Sequence, residues 1–545
     1  MAYQVYFDNR QIVLPGAYST IVSGETNPAR TTDYGKVLLL DCGTGGAGFG
    51  GGAGINGQLA SGQDAIYSFG TLENFRFYVK GGIFWKIAEK LFIPDSSNRA
   101  AGGISELYYI RCCTTTAATL TMATAAGGTF KFFTRDEGLW ANAVLSTDTA
   151  PNLISGYAYQ IVPGVRDTTK FIMKIYRGTF TGLAADDLPY GDETEAQVVP
   201  QLMVQSPEFN NVQTLIDWSK NDSNFNQYFA PDPSSTVEGE GEVTASDVTA
   251  LAGWQKAEGA TETYKPTDVD NALGQITGLD YNIIFTDQQG ANASGSITQK
   301  VITHINTVSK FDRFLYVAGY GQASEFADSL ALAQGFDSDR IVCVHGDAGM
   351  NTELSPTGYR WWSPLYMTAA VIGRVSGKPP YVPPTNKSIG IDRVKHILSD
   401  DEKKQSLESG LLVVTKNDFI RKFVILQGVN TLQDNAYLFN SKGQSYSIQF
   451  MRIVAQINRE LVVNSEIDLL SQENGVNATT LSTNIVKNWT TAYLQSRVAT
   501  EAADNLLLSF QDVTATRQED AIFVTYSIVV NSEINKLFFT GYLIR

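Results

Sequence analysis

The stretch "RFLYVAGYGQASEFADSLALAQGFDSDRIVCVHGD", Arg313 to Asp347, decides the fold class. Its ends, "RFLYVAGYG" (313–321) and "RIVCVHGD" (340–347), are continuous apolar runs, and "ASEFADSLALAQGF" (323–336) between them has helical spacing. An uninterrupted apolar run suits a strand buried on both faces, and a helix-length return places the next strand parallel to it. The same alternation begins upstream with "YNIIFTD" (281–287) and the helical stripe Ile297, Val301, Ile305 and Val308. A parallel sheet covered by helices is the expected core. A further helix is expected over "YRWWSPLYMTAAVIGRVSG" (359–377), stopped by "KPPYVPP" (378–384).

Outward from this core the text changes character. Between Arg177 and Lys256 the acids run from Asp186 to Asp247 with Lys220 as the only base, and "GTFKFFTRD" (128–136) and "TKFIMKIYRG" (169–178) precede them as strand-like runs. This is the pattern of a β-rich segment with a solvated acidic face. After the prolines, "LLVVTKN" (411–417) and "FVILQGVNT" (423–431) read as strands, followed by helices near Ser447–Leu470 and Thr480–Arg497. Two strands follow, "AIFVTYSIVV" (521–530) and "KLFFTGYLIR" (536–545). The second is apolar on both faces, with Leu537, Phe539 and Leu543 on one and Phe538, Tyr542 and Ile544 on the other. Such a strand needs cover on both sides, and another subunit is a natural source of it.

Composition bounds the function. The chain has 545 residues, too many for one core, with 43% apolar residues and a formal charge of −15. That charge argues against a surface built on phosphate neutralisation, so no nucleic-acid partner is expected. No apolar run reaches membrane-spanning length and the start lacks a signal-peptide pattern, so no membrane insertion and a cytoplasmic site of folding are expected. Cys42, Cys112, Cys113 and Cys343 show no metal or redox spacing and read as buried thiols.

Candidate chemistry is sparse. Of the three histidines, His304 falls on an apolar helix stripe and His396 among charges, where solvation is expected. His345 ends a strand at the carboxyl edge of the expected sheet, where Asp347 could orient its imidazole. No nucleophile elbow, Walker loop or zinc-protease helix accompanies it. Gly43, Gly45 and Gly48 have dinucleotide-fingerprint spacing after the apolar run Val37–Leu40. The glycines that follow preclude the required helix, so Gly43–Gly48 reads as a loop without ligand, and Asp64 lacks the element that would bring it to a ribose. No metal or cofactor is expected.

Several segments, in order, resemble contractile bacteriophage tail sheath proteins. They are "PGAYSTIV" (15–22), "YSFGTLENFRFYVKGGIFWKIAEKLF" (67–92), "ELYYIRCC" (106–113), "EGLWANAV" (137–144), "SPLYMTAAVIGRVSGKPPYVPPTNKSI" (363–389), "DDEKKQSLESGLLVVTKN" (400–417), "GVNTL" (428–432) and "VVNSEINKLFFTGYLI" (529–544). The tryptophan turn has Ala141 where a glycine or similar small residue is common, and the glycine tract at 43–54 is longer than expected. The resemblance implies a multidomain α/β chain without catalytic activity. An N-terminal arm would occupy 1–25 and a subtilisin-like α/β domain 26–123 and 259–399, interrupted by a β-rich acidic insertion at 124–258. An α+β assembly domain (400–535) and a C-terminal strand arm (536–545) would follow.

The resemblance also implies that Pro15, Gly16, Ala17, Tyr18, Ser19, Thr20, Ile21 and Val22, with Leu537, Phe538, Phe539, Tyr542, Leu543 and Ile544, add strands to neighbouring subunits. Partners would be further copies in stacked hexameric rings, a tail tube protein, and baseplate and tail terminator proteins. The location would be a virion tail assembled in the host cytoplasm. Two alternatives stay open: a nucleotide-binding or hydrolytic enzyme using Gly43–Gly48 or His345 and Asp347, and a receptor role for the acidic insertion.

Overall fold

Val37, Leu38, Leu39 and Leu40 have no exposed surface at all, and the central sheet is built from strands of this kind. The computed structural model describes residues 5–7, 10–12, 34–41, 66–79, 83–123, 129–138, 141–145, 153–178, 200–232, 247–248, 251–264, 266–286, 296–309, 311–351, 359–434, 440–441, 443–470, 481–500 and 504–531. Pro15–Val22, Gly43–Gly48, Asp64 and Leu537–Ile544 lie outside these residues.

The sheet strands, in chain order, are β1 (Lys36–Asp41), β2 (Tyr67–Phe69), β3 (Glu106–Arg111), β4 (Ile283–Thr286), β5 (Phe314–Ala318), β6 (Ile341–His345), β7 (Leu411–Asn417) and β8 (Lys422–Ile425). Their spatial order is β8-β7-β6-β5-β4-β1-β3-β2. The six inner strands run parallel, and β2 and β8 close the two edges antiparallel. Alternate residues feed opposite faces. Val37 and Leu39 join a core with helices α1 (Leu72–Tyr78), α2 (Ile83–Phe92) and the helix Pro364–Ser376, whereas Leu38 and Leu40 face the helices Pro266–Gln275 and Ile297–Thr303. Each such fully buried aliphatic side chain contributes roughly 1.5–3 kcal/mol.

Helix α3 (Phe326–Phe336) covers β6 and β7 through Phe326 and Ala333. Helix α4 spans Pro364–Ser376 and is buried along its whole length. The helix expected from 359 therefore starts later: Tyr359–Trp362 is a strand paired antiparallel with Ala348–Asn351. Proline at the first helical position suits the start of α4, and it biases the residue before it away from helical geometry. Gly373 of α4 lies so close to α2 that a Cβ there would collide with the Lys90 and Leu91 carbonyl oxygens.

A second core extends from Ala118 to Ala260 and contains Phe130, Phe132, Tyr159, Met173, Leu215, Phe225 and Phe229. The strand Ala117–Ala123 pairs here with Thr129–Glu137, not with the central sheet. The chain enters and leaves this unit through a narrow antiparallel neck, Cys113–Thr115 against Glu262–Tyr264. Thr116 and Thr261 extend it with a hydroxyl pair at 2.9 Å. Beside the neck, the Asn142 amide donates to the Ala260 carbonyl and accepts from the Ala260 N–H, each at 2.9 Å.

The C-terminal part contains α5 (Asp400–Glu408), α6 (Ile448–Ser465), α7 (Thr483–Gln495), and two long strands, β9 (Leu507–Gln518) and β10 (Ala521–Val530). Ser399 and Glu402 form a reciprocal capping box at the start of α5. Helix α6 is buried nearly all round, with a polar side that includes Arg452, Gln456, Arg459 and Glu460.

Candidate functional site

Strands β9 and β10 make an antiparallel ribbon packed on the body from Leu507 and Val530 at its base as far as Val524. Leu507, Tyr526 and Val530 pack there against Phe450, Ile453 and Ile457 of α6 and Tyr493 and Leu494 of α7. Beside Leu507 and Val530, Leu508 is 49% and Val529 51% exposed. A bulge between Gln511 and Thr514, with Asp512 in the left-handed region at φ 63°, locally bends and twists the ribbon. The Thr514 and Thr525 hydroxyls meet across the strands at 2.5 Å. Glu519, at φ 52°, makes the turn, and Arg517 Nε donates to its carbonyl at 3.0 Å. Among the described residues no third strand joins the ribbon, and its one further bridge is Val498 with Leu507 at the base. Two strands alone are marginal in water, and the packing on α6 and α7 supplies the ribbon's apolar cover.

The described residues Tyr34 and Asn531, next to the two terminal segments in sequence, both lie beside α6. At the C-terminal side, Asn531 is clamped: its N–H donates to the Leu506 carbonyl at 2.9 Å, its amide to the Asn505 carbonyl at 3.0 Å, and Gln449 of α6 donates to its carbonyl at 3.0 Å. At the N-terminal side, Tyr34 lines a small crevice with Tyr316 and with Arg452 and Gln456 of α6. Arg452 is buried, donates to the Lys378 carbonyl at 2.8 Å, and has its pKa pushed down to about 10 by burial. Helix α6 is held in turn by Glu460, which accepts from Tyr493 Oη, Arg497 Nε and Gln456 Nε2, each at 2.8 Å. The sequence reading missed β9 and α6's role at both exits, although it identified β10.

The His345 and Asp347 pair of the enzymatic alternative is arranged differently. His345 Nδ1 lies 2.9 Å from Ser329 Oγ, and its Nε2 lies 3.1 Å from Nδ1 of His396. His396 Nε2 lies 3.1 Å from Glu402 Oε1. His396 is therefore buried, contrary to the expectation that it is solvated: the chain folds it inward from its charged neighbours to meet His345. Asp347 does not orient the imidazole. Both its oxygens are buried without a hydrogen-bond partner, and burial pushes its pKa up to about 6. Ser329 has no exposed surface, so no substrate reaches its hydroxyl in this conformation. His304 is a core residue 3.4 Å from Tyr281 Oη, and burial, aided by Arg313, pushes its pKa down to about 4. Cys112 and Cys343 are buried free thiols, as expected. Among the described residues, no cluster of histidine, cysteine and acidic side chains could hold a metal ion, and no helix is long and apolar enough to cross a membrane.

No protein-family model and no curated protein matches this sequence. Solved structures do match. The sheath tail protein of Desulfitobacterium hafniense aligns over 94% of this chain and 99% of its own, with a TM-score of 0.51 and 12% identity. The sheath tail protein of Listeria innocua aligns over 93% of this chain and 97% of its own, with a TM-score of 0.45 and 13% identity. The helical sheath of the anti-feeding prophage in its contracted state aligns over 97% and 99%, with a TM-score of 0.45 and 10% identity. The chain has the mixed α/β fold of the Desulfitobacterium hafniense sheath tail protein.

Proposed function

We propose that this chain is a structural subunit of a contractile tail sheath. Its copies form hexameric rings stacked as a helical sleeve around a tail tube, and the sleeve contracts to drive the tube through a host envelope. The observation that carries this reading is the protruding β9–β10 ribbon, on a fold shared end to end with a sheath tail protein.

Strand addition explains the ribbon. The segments 15–22 and 536–545 each reach a neighbouring copy and extend that copy's ribbon. Main-chain hydrogen bonds then link subunits without fixing the rigid domains, whose surfaces slide and repack as the sleeve shortens. Leu537, Phe538, Phe539, Tyr542, Leu543 and Ile544 gain cover on both faces from this arrangement.

In this reading the unit around the central sheet, β7 and β8 included, is a subtilisin-like scaffold without protease activity, the unit entered and left through the 113–115 and 262–264 neck is an outward-facing acidic insertion, and the C-terminal helices and ribbon are the assembly domain. The extended sleeve is a trapped state and the contracted one packs more surface, so no cofactor or hydrolysis is needed. Baseplate and terminator proteins bound the sleeve, the tube protein fills it, and the assembled particle is a virion tail built in the host cytoplasm. Electron microscopy of the purified full-length chain tests the reading. Hollow tubes are expected, and monomers alone at every concentration would refute it.

A further inference from the structure

The Ser329–His345–His396–Glu402 chain spans four separate elements: α3, β6, the 392–399 segment and α5. Proton positions follow from the donor inventory. The Glu402 carboxylate only accepts, so His396 carries its proton on Nε2. Its Nδ1 then accepts from His345 Nε2–H, and His345 Nδ1 accepts from the Ser329 hydroxyl. Ser329 Oγ in turn accepts from the Tyr320 N–H at 3.0 Å. At neutral pH every member of the chain has a partner. Phe326 seals it, with its ring 5.3 Å from both imidazoles and edge-on to each.

This geometry admits one added proton and no more. With His396 charged, its Nδ1–H donates to His345, whose own proton moves to Nδ1 and points at Ser329. A second proton would set N–H against N–H across 3.1 Å.

We propose that the His345–His396 pair is a proton-operated latch, which holds the segment Asp392–Glu408 against the carboxyl edge of the sheet and releases it when the second imidazole is charged. The other ionisable groups around the pair are Glu402 from α5, Lys395 from the latched segment, Asp347 after β6, and Glu325 ahead of α3. None can replace the lost contact, because Glu402 is already engaged by Ser399 N–H at 2.8 Å and Ser399 Oγ at 2.7 Å. Burial, with His396 adding to it, holds the pKa of His345 at about 4, so the latch stays shut at neutral pH. Between there and the ordinary histidine value of about 6.5, opening takes up one proton. Release would uncover the pair beside Ile397, already 83% exposed.

Hydrogen exchange of the full-length chain, corrected for intrinsic rates and followed from pH 7.5 to 4.5, tests the latch. The opening equilibrium of Asp392–Glu408 is expected to rise about tenfold per pH unit below about 6.5, while α4 stays protected. A flat profile, or opening of α4 in step with the segment, would overturn the proposal. His345→Gln, which removes the imidazole whose pKa burial holds down and takes up no proton, is expected to flatten the slope. An unchanged slope would equally overturn it, and if the variant fails to fold, the wild-type profile decides alone.

Discussion

Arg497 Nε sits 2.8 Å from Glu460 Oε2, and the two side chains are 8% and 2% exposed. This pair ties the end of α7 to α6 directly beneath the ribbon. A buried pair adds little over an apolar substitute, but breaking one strands the surviving charge. Glu460→Ala is therefore expected to cost roughly 3–5 kcal/mol in urea unfolding, whereas the double variant Glu460→Leu/Arg497→Leu should recover most of the loss. Equal losses in both would contradict the account.

Asp347 carries the opposite prediction. Its folded-state pKa, near 6, lies above that of an unfolded aspartate, so the folded chain holds the proton more tightly. The stability it lends is complete below about pH 4 and is lost as pH rises through 6. At pH 7.5 it is a buried charge with no hydrogen bond, and Asp347→Asn should raise stability by roughly 1–2 kcal/mol. Thermal unfolding checks this, and the gain should vanish near pH 4.

Asn142 staples the insertion's exit to its entry through two hydrogen bonds with Ala260. Asn142→Ala should cost roughly 1–3 kcal/mol. The loss should appear first as weaker exchange protection in the 118–260 core, with the central sheet unaffected.

Gly373→Ala should loosen the α2–α4 crossing, because the new methyl meets the Lys90 and Leu91 carbonyl oxygens. Backbone cannot step aside as a flexible side chain can, so about 1–3 kcal/mol of destabilisation is expected in thermal unfolding.

Much of the central sheet was legible because strands buried on both faces read as continuous apolar runs. Val37–Leu40, Ile283–Phe285 and Ile341–Val344 are such runs, and each is buried throughout. Tyr359–Trp362 was misread because its aromatics continue the stripe of α4, and only Pro364 marks the change. The strand Leu507–Gln518 was missed for a different reason. Polar residues occupy both faces of an element that protrudes from the core, and the bulge at Asp512 breaks its alternation. His396 was misjudged from its charged neighbours. Its true partner lies 51 positions away, at a contact that only the fold creates.

The central claim is self-assembly by strand addition to the β9–β10 ribbon. Its most direct test is sedimentation and electron microscopy of a chain lacking Lys536–Arg545, beside the full-length protein. The account predicts a truncated chain with an unchanged unfolding transition that stays monomeric where the full-length chain forms tubes. Normal tubes from the truncated chain would contradict it.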